Sequence, residues 1–166
     1  KLQLYANDLN WRGFSPADPT ISSISGTLYA GAASTLSLTG SNFLQSNLQV
    51  RFIQNTRSVD VTVTVTPSSE TSASVTVPAT VYNNIQGSDV VSITVTNSDG
   101  VVSNTFAKTV VGLPTGGTIT TSGSYRIHTF TSNGDFIVPT GTTLTNVEYL
   151  VVGGGGGGGP SNQGHQ

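Results

Sequence analysis

The sequence predicts an all-β chain built around a two-sheet sandwich, and three observations predict it. Apolar residues recur at every second position over several short stretches; Thr, Ser, Val, Gly and Asn dominate the composition; and Gly, Pro, Asn and Asp punctuate the stretches at turn-like spacing. Thr and Val favour the half-buried pleated surface of a strand over a helix, so helix is expected to be scarce. At 166 residues with 35% hydrophobic content, the chain holds one ordinary domain or two small ones.

The first stretch, Lys1 to Asp18, sets Tyr5, Trp11 and Phe14 among Asn7, Asp8, Asn10 and Arg12, and reads as a leader segment. Pro16 and Pro19 end it, each lacking a backbone donor and biasing its predecessor to extended conformation. The sandwich is expected from Pro19 to Val111. Its clearest stripe is Val59, Val61, Val63 and Val65, with Asp60, Thr62 and Thr64 between them. The same period recurs at Leu36 and Leu38, Val50 and Phe52, Ala73, Val75 and Val77, and Val91, Ile93 and Val95. Ser98-Asp99-Gly100 stands between a strand ending near Thr96 and one beginning at Val101, and predicts a hairpin because Gly supplies positive φ. With further strands near Thr20 to Ser25 and Thr105 to Val110, the count reaches about seven, the number of an immunoglobulin-like sandwich.

Four segments carry a more specific likeness: Pro19-Thr20-Ile21 with Ile24, Leu36-Ser37-Leu38-Thr39-Gly40-Ser41-Asn42-Phe43, Val50-Arg51-Phe52, and Ile93-Thr94-Val95-Thr96-Asn97-Ser98-Asp99-Gly100. In this order they resemble an IPT/TIG domain, which implies an immunoglobulin-like fold. It implies no single function, because that family serves receptors, carbohydrate enzymes, transcription factors and viral appendages.

Gly112 to Gly117 reads as a second linker, and a small second β module is expected over residues 118–152. Its predicted parts are a strand at Tyr125 to Thr131, a hairpin turn at Asn133-Gly134 leading into Asp135 to Pro139, and a strand at Val147 to Val152. Gly153 to Gly159 and the polar tail to Gln166 follow. Ile127-His128-Thr129-Phe130, Asn133-Gly134-Asp135-Phe136 and Glu148-Tyr149-Leu150-Val151-Val152 before polyglycine resemble the glycine-rich modules of bacteriophage tail fibres and bacterial surface proteins. That resemblance makes residues 118–166 the front half of something longer.

Composition and motifs exclude most chemistry. Only 8% of residues are charged, with six basic and eight acidic side chains dispersed along the chain, so no basic footprint for nucleic acid is present. Cysteine is absent, which removes disulfides, thiolate metal sites and a Cys nucleophile. No apolar run reaches membrane-spanning length, and Lys1 to Asn10 lacks the pattern of a signal peptide. The glycine run follows a strand but ends in Pro160-Ser161-Asn162 rather than the Lys and Ser or Thr of a phosphate loop. His128 is expected mid-strand with Arg126 and Phe130 on its side and a structural role; His165 lies in the polar tail. Asp8, Asp18, Asp60, Glu70, Asp89, Asp99, Asp135 and Glu148 form neither a close acid–base pair nor an EF-hand spacing, and no Gly-X-Ser-X-Gly elbow exists. No catalytic residue, metal or cofactor is expected.

The leader is the one segment with interface chemistry. Tyr5, Trp11, Arg12 and Phe14 are the aromatic and Arg types that anchor protein interfaces, and two roles fit them: docking onto a neighbouring subunit, or covering the open end of the sandwich. Taken together, the leader, the sandwich and the glycine-rich start resemble a bacteriophage tail-, neck- or capsid-fibre component. The resemblance implies an extracellular virion protein that contacts other virion proteins through its N-terminal segment, forms a homo-oligomer, and meets a host surface glycan through its distal part. The alternative is a secreted adhesin or carbohydrate-binding module, in which Tyr29 or Tyr82 would stack on sugar.

Overall fold

The computed structural model describes residues 17–44, 46–139 and 142–155. Ten strands run in the order β1 (Thr20–Ser25), β2 (Leu28–Tyr29), β3 (Thr35–Ser41), β4 (Leu48–Gln54), β5 (Val59–Val65), β6 (Ser72–Thr76), β7 (Val90–Thr96), β8 (Phe106–Val111), β9 (Thr118–Ser122) and β10 (Tyr125–Thr129). Among the described residues, helix is confined to a 3-10 turn at Asn55–Arg57 and a single turn, α1 (Ala79–Tyr82). No helix among the described residues is long and apolar enough to cross a membrane.

The sandwich consists of a three-stranded sheet, β1-β3-β6, and a five-stranded sheet, β2-β8-β7-β4-β5. Every pairing is antiparallel except β2 with β8. Alternation decides what lies between them. Ile21, Ile24, Leu36, Leu38, Ala73 and Val75 come from the small sheet, and Leu28, Val50, Phe52, Val91, Ile93, Val95 and Val110 from the large one; all are buried in one cluster with Phe43, Leu48, Val77, Val81 and Ile85. The intervening Thr and Ser residues meet water, which is how a chain with so few charges covers its surface. The valine stripe of β5 departs from expectation in one respect. Val59 is buried, but Val61, Val63 and Val65 are only half-buried against the cluster, because β5 is the outermost strand of its sheet and has one neighbour.

The first strand of the fold is shared between the sheets. β1 pairs with β3, and after Gly26 and Thr27 the chain crosses over so that β2 pairs with β8. Gly26 has φ +86°, and a Cβ there would lie 2.6 Å from the Thr35 carbonyl oxygen, so the crossover requires glycine. Nothing in the two-residue stretch Leu28–Tyr29 announces a strand by periodicity. The expected hairpin after Thr96 is present: Gly100 has φ +89°, its N–H donates to the Asn97 carbonyl, and Asp99 Oδ1 accepts from Val101 N–H. The returning strand is irregular, however. Val102 makes only an isolated bridge to Thr96, and the regular pairing of β8 begins at Phe106, shifted by one residue.

The second module differs from expectation in two places. The segment beginning at Tyr125 pairs backwards with β9 across Gly123-Ser124, not forwards across Asn133-Gly134. The reason is backbone geometry: Gly123 has φ +58°, whereas neither Asn133 nor Gly134 has the positive φ a tight two-residue hairpin requires. Ile137, expected in the returning strand, instead bridges Thr115. The expected strand at Val147 to Val152 has no ladder partner among the described residues, and a run of apolar residues becomes a strand only where another edge accepts its backbone bonds. The Gly112 to Gly117 linker is packed: Gly112 and Pro114 are buried, Thr142 Oγ1 donates to the Gly112 carbonyl at 3.0 Å, and Pro139 approaches both Gly112 and Gly87.

Candidate functional site

Chain direction defines two ends of the sandwich. At the entry end the chain passes Asp18 and Pro19 into β1, where Asn104 and Asn42 clasp it and Asn97 braces the Asn42 turn. Asn104 Oδ1 accepts from Ile21 N–H at 2.8 Å and its Nδ2 donates to the Ile21 carbonyl, so one side chain mimics a neighbouring strand for β1. Asn42, at φ +60°, donates from Nδ2 to the Asp18 carbonyl. Asn97, only 3% exposed, donates from Nδ2 to the Asn42 carbonyl at 2.8 Å and accepts at Oδ1 from Leu44 N–H at 3.1 Å. The Thr-Gly-Ser-Asn-Phe turn and the Thr-Asn-Ser-Asp-Gly turn, separate in sequence, are therefore fastened to each other.

Asn97 is the single buried polar side chain among the described residues, and both ends of its amide are satisfied by backbone. Removing it leaves the Leu44 N–H and the Asn42 carbonyl without their partners in two part-buried bonds, so Asn97→Ala is expected to cost about 1–3 kcal/mol. Urea unfolding of the variant checks this. The sequence showed Asn97 as part of a turn but gave no sign of its reach to the opposite loop, and nothing marked Asn104 at all.

Among the described residues, two ion pairs lie at the surface of the sandwich. Arg51 on β4 reaches diagonally to Asp60 on β5 in a two-pronged contact, with Nε to Oδ1 at 2.7 Å and Nη2 to Oδ2 at 2.6 Å. The guanidinium bond holds the Asp60 carboxyl below its ordinary value and raises Arg51 in return. At the exit end Arg57 Nε donates to Asp89 Oδ2 at 3.0 Å and its Nη2 to Gln86 Oε1. Partial burial pushes Asp89 upward, but the Gln86 N–H, the Arg57 hydrogen bond and the Arg57 charge together outweigh it and leave the carboxyl lowered. A lowered folded-state value stabilises the fold above the unfolded value and is lost as the solution is acidified below about pH 4. The stability gap between the parent chain and Asp89→Asn is therefore expected to be largest near neutrality and to close by about pH 2, which urea titrations at the two extremes will read.

No three His, Asp or Glu side chains among the described residues lie close enough to hold a metal ion. His128 is on β10 as expected, where its Nδ1–H donates to the Gly116 carbonyl at 2.8 Å and its ring meets Phe136 edge-on at 4.9 Å. Its Nε2 is shielded from solvent without a hydrogen-bond partner, and no carboxylate or hydroxyl nucleophile is bonded to it. An open groove of about 220 Å³ runs beside it, lined by Gly117, Thr118 and the stretch from Thr129 to Gly134, with no titratable side chain in its wall. Tyr29 and Tyr82 are both half-buried, Tyr82 against the core. Tyr5, Trp11, Arg12 and Phe14, the candidate docking residues, lie outside the described residues.

The β1–β2 segment and β8 run side by side in the same direction. From one end to the other, Ile21 contacts Asn104, the Ile24 carbonyl accepts from Lys108 Nζ at 2.9 Å, Leu28 pairs with Val110, and Tyr29 pairs with Val111. The chain consequently enters the sandwich at the Asn42–Asn97 end and leaves it, at Val111, from the other. No family model, curated protein or solved structure matches the chain.

Proposed function

We propose that this chain is a non-catalytic structural component of a bacteriophage fibre or other virion appendage, in which the sandwich is a rigid spacer between an anchoring N-terminal segment and distal host-contacting parts. The observation that carries the reading is the position of the two chain ends. A sandwich entered at one end and left at the other transmits position along its length, as a link in a fibre must, and its filled core adds stiffness. The strand order, with the first strand divided between the sheets, supports an immunoglobulin-like classification. The fastening of the Thr39–Phe43 turn to the Thr96–Gly100 turn through Asn97 supports the IPT/TIG resemblance. A surface of hydroxyls and amides suits an extracellular particle protein present in many copies. In this reading Tyr5, Trp11, Arg12 and Phe14 dock onto tail, neck or capsid proteins, and a host glycan is met distally.

The test is immunogold labelling of purified particles and of uninfected host cells with antibody raised against residues 19–111. Label on particle appendages is the expected result. Label on uninfected cell surfaces with bare particles would replace this reading with the adhesin one. Trp11, the only tryptophan, then reports docking directly: its emission is expected to shift to the blue when the isolated chain is added to particles lacking it.

A further inference from the structure

We propose that the second module is completed by strand exchange with a second copy of this chain, Val147 to Val152 of each copy pairing with the open β10 edge of the other. This deepens the appendage reading, on which it rests, by naming the partner of its distal part.

The hairpin is unfinished as it stands. Among the described residues, β9 and β10 form a sheet of only two strands, each with a free edge, and every residue in them except His128 is exposed. Two-stranded ribbons are marginal in water and gain independent stability from a third strand and an apolar cover. Ile119, Tyr125 and Ile127 remain at 37%, 60% and 42% exposure, so that cover is missing.

The same chain carries what the hairpin lacks. Tyr149, Leu150, Val151 and Val152 are 89%, 87%, 82% and 82% exposed, the largest run of open apolar surface among the described residues. Because neighbouring positions of an extended segment point to opposite faces, four apolar residues in succession make both faces apolar, the signature of a strand buried on both sides. Charge selects the pairing. Arg126 on β10 and Glu148 at the head of the segment take part in neither of the ion pairs formed among the described residues. Opposite charges facing across paired strands stabilise the pairing and fix its register. An acceptor edge and a donor strand carried by one sequence are self-complementary, so reciprocal exchange between identical copies closes on itself and leaves no strand over.

Sedimentation equilibrium of the full chain up to about 100 µM tests this. A discrete oligomer is expected, and the double variant Leu150→Asp/Val152→Asp is expected to sediment as a monomer while the thermal unfolding of the sandwich is unchanged. Arg126→Glu and Glu148→Arg should each weaken association several-fold, and the two together should restore it. A monomer at every concentration would mean that the segment closes within its own chain or onto a different partner, and overturns the proposal. Association that survives Leu150→Asp/Val152→Asp overturns it too, by placing the interface elsewhere. Neither outcome alters where antibody labels the particle, so the exchange can fail while the appendage reading stands.

Discussion

Gly40→Ala is expected to lower stability by on the order of 3 kcal/mol or more, although it adds a single methyl group. Gly40 sits on β3 opposite Ile21 of β1, and a Cβ built there would lie 1.9 Å from the Thr20 carbonyl oxygen, 2.6 Å from Phe43 Cζ and 3.0 Å from Phe43 Cε1. Neither neighbour yields easily. The Thr20 carbonyl belongs to a strand whose next residue is bonded in both directions by Asn104, and Phe43 is a fully buried ring. Gly40 N–H also donates to the Thr71 carbonyl at 2.9 Å, so β3 cannot retreat without losing that bond. Relief therefore means parting β1 from β3 or turning Phe43 out of the core, and both open the entry end. The expected readout is a large fall in the urea midpoint with near-parent slope, or failure to accumulate as folded protein. A variant within about 0.5 kcal/mol of the parent would contradict the close approach of β1 and β3.

Phe52→Ala is expected to cost about 3–5 kcal/mol by the opposite route, an excavated core. Phe52 lies mid-strand on β4, paired with Val61 on one side and Ile93 on the other, and has no exposed surface. Its ring is one of the two largest fully buried side chains, beside Phe43, and rigid sheets on both sides limit how far the core can collapse into the space. Thr62→Ala, on the exposed side of β5, is the control and is expected to change stability by less than about 0.5 kcal/mol. Since a domain of this size is stable by roughly 5–15 kcal/mol, the phenylalanine variant loses a large share of the total.

How much of this was legible in the sequence follows from which interactions are local. The stripes at Leu36 and Leu38, Val50 and Phe52, Ala73 to Val77 and Val91 to Val95 announced themselves because strand periodicity depends only on residues two apart. The Asp99-Gly100 turn was legible for the same reason. β2 was not, since two residues carry no period and its formation depends on Val110 and Val111, far along the chain. The second hairpin was misplaced because Asn133-Gly134 has turn composition without turn geometry, and the strand expected at Val147 to Val152 has apolar residues without a partner. Asn97 and Asn104 were invisible as clasps: an asparagine in a loop is commonplace, and only the fold brings Leu44, Asn42 and Ile21 to their amides.

The spacer role depends on the sandwich being entered and left at opposite ends, and a distance measurement tests it most directly. The chain has no cysteine, so Thr20→Cys and Val111→Cys, both at exposed positions, can carry a spin-label pair without background. With Val111 beside Tyr29 and Thr20 at the far end of the β1–β2 segment, a label separation of about 25 Å is expected from the rise of an extended chain. A separation below about 15 Å would place both ends together and leave a module that hangs from a fibre but cannot form part of its length.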